Sequence, residues 1–255
     1  MKKTFLACAA ALLLPVTAHA ASVDLTGWEE DGFHNSPSAG TWTVQPGNDS
    51  VIQSANGNPT VFFESGSNSQ GTALSGTIEV QTTGDDDFVG FVLGYQDGEM
   101  NSASADFWLI DWKQIDQNHL GFAPRGLALS HVSGDVAAAG AGNFWAHTGT
   151  VTEAERAANL GSTGWADNTE YTFELTFTAS LIEVKVNGVT EISFTAAENG
   201  GNLFTDGSFG FYNYSQNAVR YAGITEEAVV PLPASLPLLL AGFGALGLIR
   251  RRRKS

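Results

Sequence analysis

Tyr171-Thr172-Phe173-Glu174-Leu175-Thr176-Phe177-Thr178, followed closely by Ile182-Glu183-Val184-Lys185-Val186-Asn187-Gly188-Val189, decides the fold. Tyr171, Phe173, Leu175 and Phe177 alternate with Thr172, Glu174, Thr176 and Thr178. Successive side chains of a strand point to opposite faces, so one face meets an apolar core and the other meets water, as an antiparallel sheet allows. Ile182, Val184 and Val186 repeat the pattern against Glu183, Lys185 and Asn187. Asn187-Gly188 suits the positive-φ corner of a two-residue hairpin, and residues 189–194 supply the returning strand.

Working outward, residues 60–64 and 74–80 read as short strands. Phe88-Val89-Gly90-Phe91-Val92-Leu93-Gly94-Tyr95 is continuously apolar, as expected of a strand inside a sandwich. Gly90 and Gly94 share one of its faces and leave room there for a close neighbour or a ligand. Residues 107–112 follow, with Trp108, Ile110 and Trp112 on one face and Phe107 and Leu109 on the other. Phe209, Phe211 and Tyr221-Ala222-Gly223-Ile224 mark the last two strands. One helix is expected, over residues 152–160, where Thr152 is placed to cap and Glu155 falls third after it. Gly/Ser/Asn-rich loops fill most of the rest, and short strands divided by such turns indicate an antiparallel sandwich.

The two ends have a different character. Lys2 and Lys3, the apolar residues 5–16 and the small-residue site Ala18-His19-Ala20 are the three parts of an export signal. The mature chain is expected to begin at Ala21. Residues 229–249 are largely apolar and run into Arg250, Arg251, Arg252, Arg253 and Lys254. A stretch of about twenty apolar residues is long enough to cross a bilayer, and cations directly after it favour a cytoplasmic C-terminus.

Seven of the twelve Lys and Arg residues belong to these ends, while all 27 acidic residues lie between them, so residues 21–228 carry a net charge of −22 with histidine neutral. Such a surface repels phosphate backbones and excludes nucleic acid as a partner, while it attracts divalent cations. Cys8 is the only cysteine and leaves with the export signal, which excludes disulfides, a cysteine nucleophile and a thiolate metal site. A body of this size builds a sufficient core without such staples.

Asp85-Asp86-Asp87, just ahead of a strand, is the candidate metal site. Strand alternation would put Asp85 and Asp87 on one side and Asp86 on the other, with Asp111 or Asp206 as further donors from facing loops. Calcium takes about six to eight oxygens from flexible loops. A solvated acidic turn is the plainer alternative in so acidic a chain. The EF-hand spacing is absent. His34, His119, His131 and His147 show no zinc spacing, and His147 reads as a loop-ordering hydrogen bonder. No Gly-x-Ser-x-Gly elbow occurs, and no strand alternates Glu and Asp on one face as a glycoside hydrolase would, so no enzyme is expected. Trp28, Trp42, Trp108, Trp112, Trp145 and Trp165 suit either a sandwich core or sugar stacking, with Trp108, Trp112 and Trp165 assigned to the core.

These residues also carry a likeness. Asp85-Asp86-Asp87-Phe88-Val89-Gly90-Phe91-Val92-Leu93-Gly94-Tyr95-Gln96 resembles a signature of the thrombospondin C-terminal domain. Trp112-Lys113-Gln114 follows at a fitting interval, and His147-Thr148-Gly149, Gly164-Trp165-Ala166-Asp167 with Tyr171, and residues 207–211 with Ser215-Gln216 recur in the family's order. The resemblance implies an all-β, concanavalin/lectin-like jelly-roll β-sandwich that is secreted, binds Ca2+ and serves adhesion or matrix contacts without catalysis. The family's calcium-binding repeat array, its cysteines and an RGD motif have no counterpart here, so binding to animal receptors does not carry over. An acidic insertion at residues 97–106 and an Ala/Gly-rich stretch at 136–142 also depart from the family's loops.

The tail has its own likeness: Val230-Pro231-Leu232-Pro233-Ala234, an apolar segment and a terminal arginine cluster resemble the VPLPA-type PEP-CTERM sorting signals. That resemblance implies an exosortase-like membrane protease as partner during export through the inner membrane, with removal of the tail and delivery to the cell surface or beyond. The expected organisation is an export signal at 1–20, a sandwich at 21–227 and a sorting or anchoring segment at 228–255. Its expected function is calcium-dependent surface or matrix adhesion, the alternative being a glycan-binding lectin and, behind that, a glycoside hydrolase.

Overall fold

The computed structural model describes residues 20–36 and 39–229. The expected export signal and the apolar tail, with its motif at 230–234, lie outside the described residues apart from their inner ends.

In chain order the strands are β1 (Ala21–Ser22), β2 (Glu29–Gly32), β3 (Trp42–Val44), β4 (Val51–Gln53), β5 (Thr60–Phe63) and β6 (Thr72–Val80). Next come β7 (Phe88–Tyr95), β8 (Ala105–Lys113), β9 (Gln117–Asn118), β10 (Phe122–Ala123), β11 (Gly126–Gly134) and β12 (Val151–Arg156). The last are β13 (Glu170–Thr178), β14 (Leu181–Val186), β15 (Val189–Thr195), β16 (Ser208–Tyr214) and β17 (Val219–Ala228). The one α-helix among the described residues is the short α1 (Gly142–Ala146).

Two antiparallel sheets stack face to face. The first runs β15-β14-β13-β6-β17-β4-β3, with β1 added along β17; the second runs β12-β11-β8-β7-β16-β5-β2. The alternating stretch at 171–194 forms β13 to β15, with Leu175 opposite Val184 and Ile182 opposite Phe194, so each apolar set falls on the inner face. Phe91, Trp108, Ile110, Trp112 and Phe211 from the second sheet meet Phe173, Leu175, Val184 and Tyr221 from the first. Burying one such large side chain stabilises the fold by about 1.5–3 kcal/mol relative to leaving it exposed.

A second apolar layer lies on the outer face of the second sheet. Phe63, Phe88, Phe107, Leu109, Val132 and Tyr212 pack there against Phe33, Met100, Val136, Phe144 and Trp145. The acidic insertion and the Ala/Gly-rich stretch are therefore parts of a cover: Met100 comes from the first, and Val136 leads the second into α1.

Three expectations change. Residues 152–156 belong to β12, an edge strand in which Glu153 pairs with Ser130 and Val151 with Val132. A helix of about nine residues is marginal by itself, whereas the open edge of β11 offers a ready backbone ladder. β11 itself lies in a region read as loop, because its Gly, Ser and Ala residues weaken the strand pattern. The room left by Gly90 and Gly94 is taken by backbone: a Cβ on Gly90 would lie 2.0 Å from Ile110 O, and one on Gly94 2.7 Å from Thr205 O.

The tryptophans are packing residues. Trp108, Trp112, Trp145 and Trp165 are buried. Half-buried Trp28 stacks on Phe211 at 5.2 Å, and half-buried Trp42 stacks on Phe62 at 5.5 Å.

Candidate cation site at the acidic turn

Asp85, Asp86 and Asp87 sit in irregular backbone just before β7, so strand alternation does not apply to them. Each offers a carboxylate oxygen, and these oxygens lie within 4.8 Å of one another. Convergence replaces the expected split of Asp86 from the other two. The main chain holds the turn from several sides. Asp87 N donates to Gln216 Oε1 at 2.9 Å, Gln114 N donates to Asp86 O at 3.3 Å, and Trp165 Nε1 donates to Asp87 O at 3.1 Å. Trp165 Nε1 also reaches Trp112 O at 3.1 Å, which ties the turn to the end of β8.

The side chains are in unequal settings. Asp87 is buried and accepts from Lys113 Nζ at 2.7 Å. The Lys113 ammonium is fully buried, 4.7 Å from the ring centre of Phe88 and 4.4 Å from that of Trp145. Asp85 and Asp86 are half-buried at the rim. Asp85 accepts from Asn56 Nδ2, and Asp86 accepts from Gln117 Nε2, whose Oε1 in turn accepts from Lys113. Ser215 Oγ donates to Asn56 Oδ1 at 3.1 Å and steadies that amide.

Electrostatics match this geometry. Burial, reinforced by the neighbouring Asp87 charge, pushes Asp85 up to about 6. Burial and Asp87 also raise Asp86, with Lys113 and Gln117 pulling the other way. Three carboxylates and one ammonium leave two negative charges uncompensated, and hard oxygen donors of this kind suit calcium or magnesium. The residues fit a divalent cation: it would bring back the charged form of carboxyls that burial disfavours.

Asp111 and Asp206 stand elsewhere. Asp206 Oδ1 accepts from Gln70 N at 3.0 Å and Gly207 N at 2.8 Å. Asp111 is buried under the cover and contacts His147 Nε2 at 2.9 Å. His147 Nδ1 lies 3.4 Å from Ser130 Oγ and 3.6 Å from Glu153 Oε2. His147 thus orders the cover, as expected. Burial alone would lower its pKa, but Asp111 and Glu153 outweigh burial and hold it at about 10. Although Ser130, His147 and Asp111 follow one another in hydrogen-bond order, Ser130 is fully buried and the imidazole is already protonated at neutral pH.

Sequence reasoning attached no role to Lys113, Gln117, Asn56 or Gln216. Lys113 and Gln216 lie inside motifs quoted for the family resemblance, and that was the available signal. Asn56 and Gln117 carry none, since only the fold brings them to the turn.

Solved structures share this sandwich. The carbohydrate-binding module CBM66 from Bacillus subtilis superposes with a TM-score of 0.52 at 10% identity, covering 80% of this chain and 96% of that one. The chain is a lectin-like β-sandwich. The family model for the thrombospondin C-terminal region matches residues 37–228, and the chain belongs to that family. Bovine thrombospondin-2 is 28% identical over 201 residues, 73% of this chain, which spans only 16% of that protein's length. Residues 229–254 match the PEP-CTERM protein-sorting motif.

The expectation that the chain is no enzyme is withdrawn, because only spacing within single strands supported it. A glycoside hydrolase family 16 endo-glucanase from Bacteroides ovatus is built on a similar sandwich, with a TM-score of 0.46 at 11% identity over 80% of this chain and 97% of that one. Carboxylate spacing along single strands had supported the exclusion, and spacing of that kind does not register groups that different strands bring together.

Proposed function

We propose that this chain is an exported recognition module, sorted through its PEP-CTERM tail, that holds calcium at Asp85, Asp86 and Asp87 and attaches to an extracellular glycan. The observation that carries this reading is the convergence of three carboxylates at a half-exposed rim, only one of them satisfied by a buried lysine. Calcium takes about six to eight oxygens, more than this turn supplies from its own carboxylates. The remaining positions would face the rim, where paired sugar hydroxyls are suitable donors. The lectin-like sandwich and the carbohydrate-binding neighbour support the glycan as ligand class, and membership of the thrombospondin C-terminal family supports adhesion as the use.

The test is calorimetry of the purified exported protein with calcium, followed by a glycan array with calcium and with chelator. Millimolar calcium is expected to raise the melting temperature, because a ligand that binds only the native state stabilises it. No rise would remove the cation from the proposal. Glycan binding that persists unchanged in chelator would leave a lectin whose sugar does not meet the metal.

A further inference from the structure

Among the described residues, the backbone hydrogen bond nearest the C-terminal end falls directly beside the sorting motif. Val229 N donates to Gly71 O at 2.7 Å, and the motif begins at the next residue, Val230. Before it, Ala228 pairs with Thr72, Glu227 with Ala73 and Glu226 with Leu74, while β1 closes the other side through Ala21 opposite Glu226 and Ser22 opposite Thr225. On the far side, the apolar stretch resumes at Leu236. Six residues, 230–235, therefore separate a paired sheet end from the continuous apolar segment at 236–249. Fully extended they reach about 20 Å at 3.3–3.6 Å per residue. A protease that grips an extended, proline-containing peptide must enter that gap beside the folded domain.

The end of β17 is held weakly. Glu227 and Ala228 are exposed, Glu226 and Val229 are only half-buried, and both residues of β1 are exposed. Glu226 and Glu227 also share one depression with Asp24 and Glu64, so four like charges gather where the strand ends. Strand ends with little apolar burial open at low free-energy cost, well below that of global unfolding.

We infer that residues 226–229 form a detachable end, and that the sorting protease reaches its motif only after this end leaves β6 and β1. The inference rests on the tail being processed by such a protease, as proposed above. Release of these residues would add about 14 Å of reach. The surface then presented to the membrane enzyme is the sheet corner formed by β1, β6 and β17, which places both ends of the described domain on the membrane side.

The test uses the full chain in its native host. Thr72→Cys with Ala228→Cys joins directly paired positions, whose Cα atoms are about 4.5–5.5 Å apart in an antiparallel ladder and within disulfide reach. Cys8 is the only natural cysteine and lies in the export signal, so no competing thiol remains after export. Disulfide formation is checked by mass, and tail loss is followed by pulse-labelling. The locked chain is expected to lose its tail at least about tenfold more slowly than wild type, with recovery on adding reductant. Eight Gly/Ser residues inserted between Val229 and Val230 are expected to restore processing in the locked chain. A locked chain processed at the wild-type rate overturns the inference, as does a locked chain that the linker fails to rescue. A wild-type chain that keeps its tail overturns the sorting reading itself, and the inference with it.

Discussion

Lys113 Nζ lies 2.7 Å from Asp87 Oδ1, with the ammonium wholly buried and the carboxylate nearly so. This pair joins the end of β8 to the start of β7, beneath the rings of Phe88 and Trp145. It explains why Asp87, in sequence the equal of its two neighbours, is mainly a structural anchor while Asp85 and Asp86 remain at the rim.

Removing one partner should be costly. Lys113→Met leaves a buried unpaired carboxylate and is expected to destabilise the fold by about 3–5 kcal/mol. Asp87→Leu should cost a similar amount through the stranded ammonium. The double variant should be more stable than the sum of the single losses implies, by at least about 1.5 kcal/mol. Urea denaturation of the four proteins gives the coupling, and strict additivity would contradict the pairing.

The pH dependence of the cation site follows from Asp85. Its pKa in the fold, about 6, lies above the ordinary 3.8 because of burial and then Asp87. The folded state therefore binds the proton more tightly than the unfolded chain, and without calcium stability falls as pH rises from about 4 to about 6. Calcium should reverse this trend above pH 6, and its stabilising effect should shrink at pH 5, where the proton competes for the same oxygens. Melting curves at both pH values check this, and Asp85→Asn should flatten the difference.

His147 gives the opposite end of the scale. Burial lowers its pKa, yet Asp111 and Glu153 raise it to about 10 against an ordinary 6.5. Its stabilisation is fully present below about pH 6.5 and is lost as pH climbs towards 10, with a slope of at most about 1.4 kcal/mol per pH unit. His147→Gln should remove that alkaline slope. Chemical denaturation between pH 6 and 10 measures it.

Gly90→Ala tests the close approach of β7 and β8. A Cβ there would sit 2.0 Å from Ile110 O and 2.9 Å from the Asp111 Cα, so main chain rather than a flexible side chain must move. A loss of about 3 kcal/mol or more is expected, read as a drop in denaturation midpoint. A near-neutral result would mean that the two strands are farther apart than described.

Legibility in the sequence tracked the range of the forces involved. β13, β14 and β15 were readable because a period of two residues is a local property and Asn187-Gly188 marks its own corner. β12 was misread as helix because Thr152 and Glu155 satisfy a local capping pattern, while the partner that decided the matter, β11, is supplied by the fold. The acidic turn was visible as three consecutive carboxylates. Its division of labour was not, since Lys113 follows Asp87 by 26 positions and Gln216 lies 129 positions away.

The carboxylate run at 85–87 and the strand periodicity, together with the Val-Pro-Leu-Pro-Ala motif ahead of an apolar stretch and five cations, were determined by the sequence alone. Each is a short-range pattern that composition and order carry unaided. Tertiary structure alone decided which carboxylate a lysine neutralises, which face of the second sheet is covered, and how near the last strand comes to the sorting motif. Those outcomes depend on burial and on contacts between distant positions, and neither exists until the two sheets close on each other.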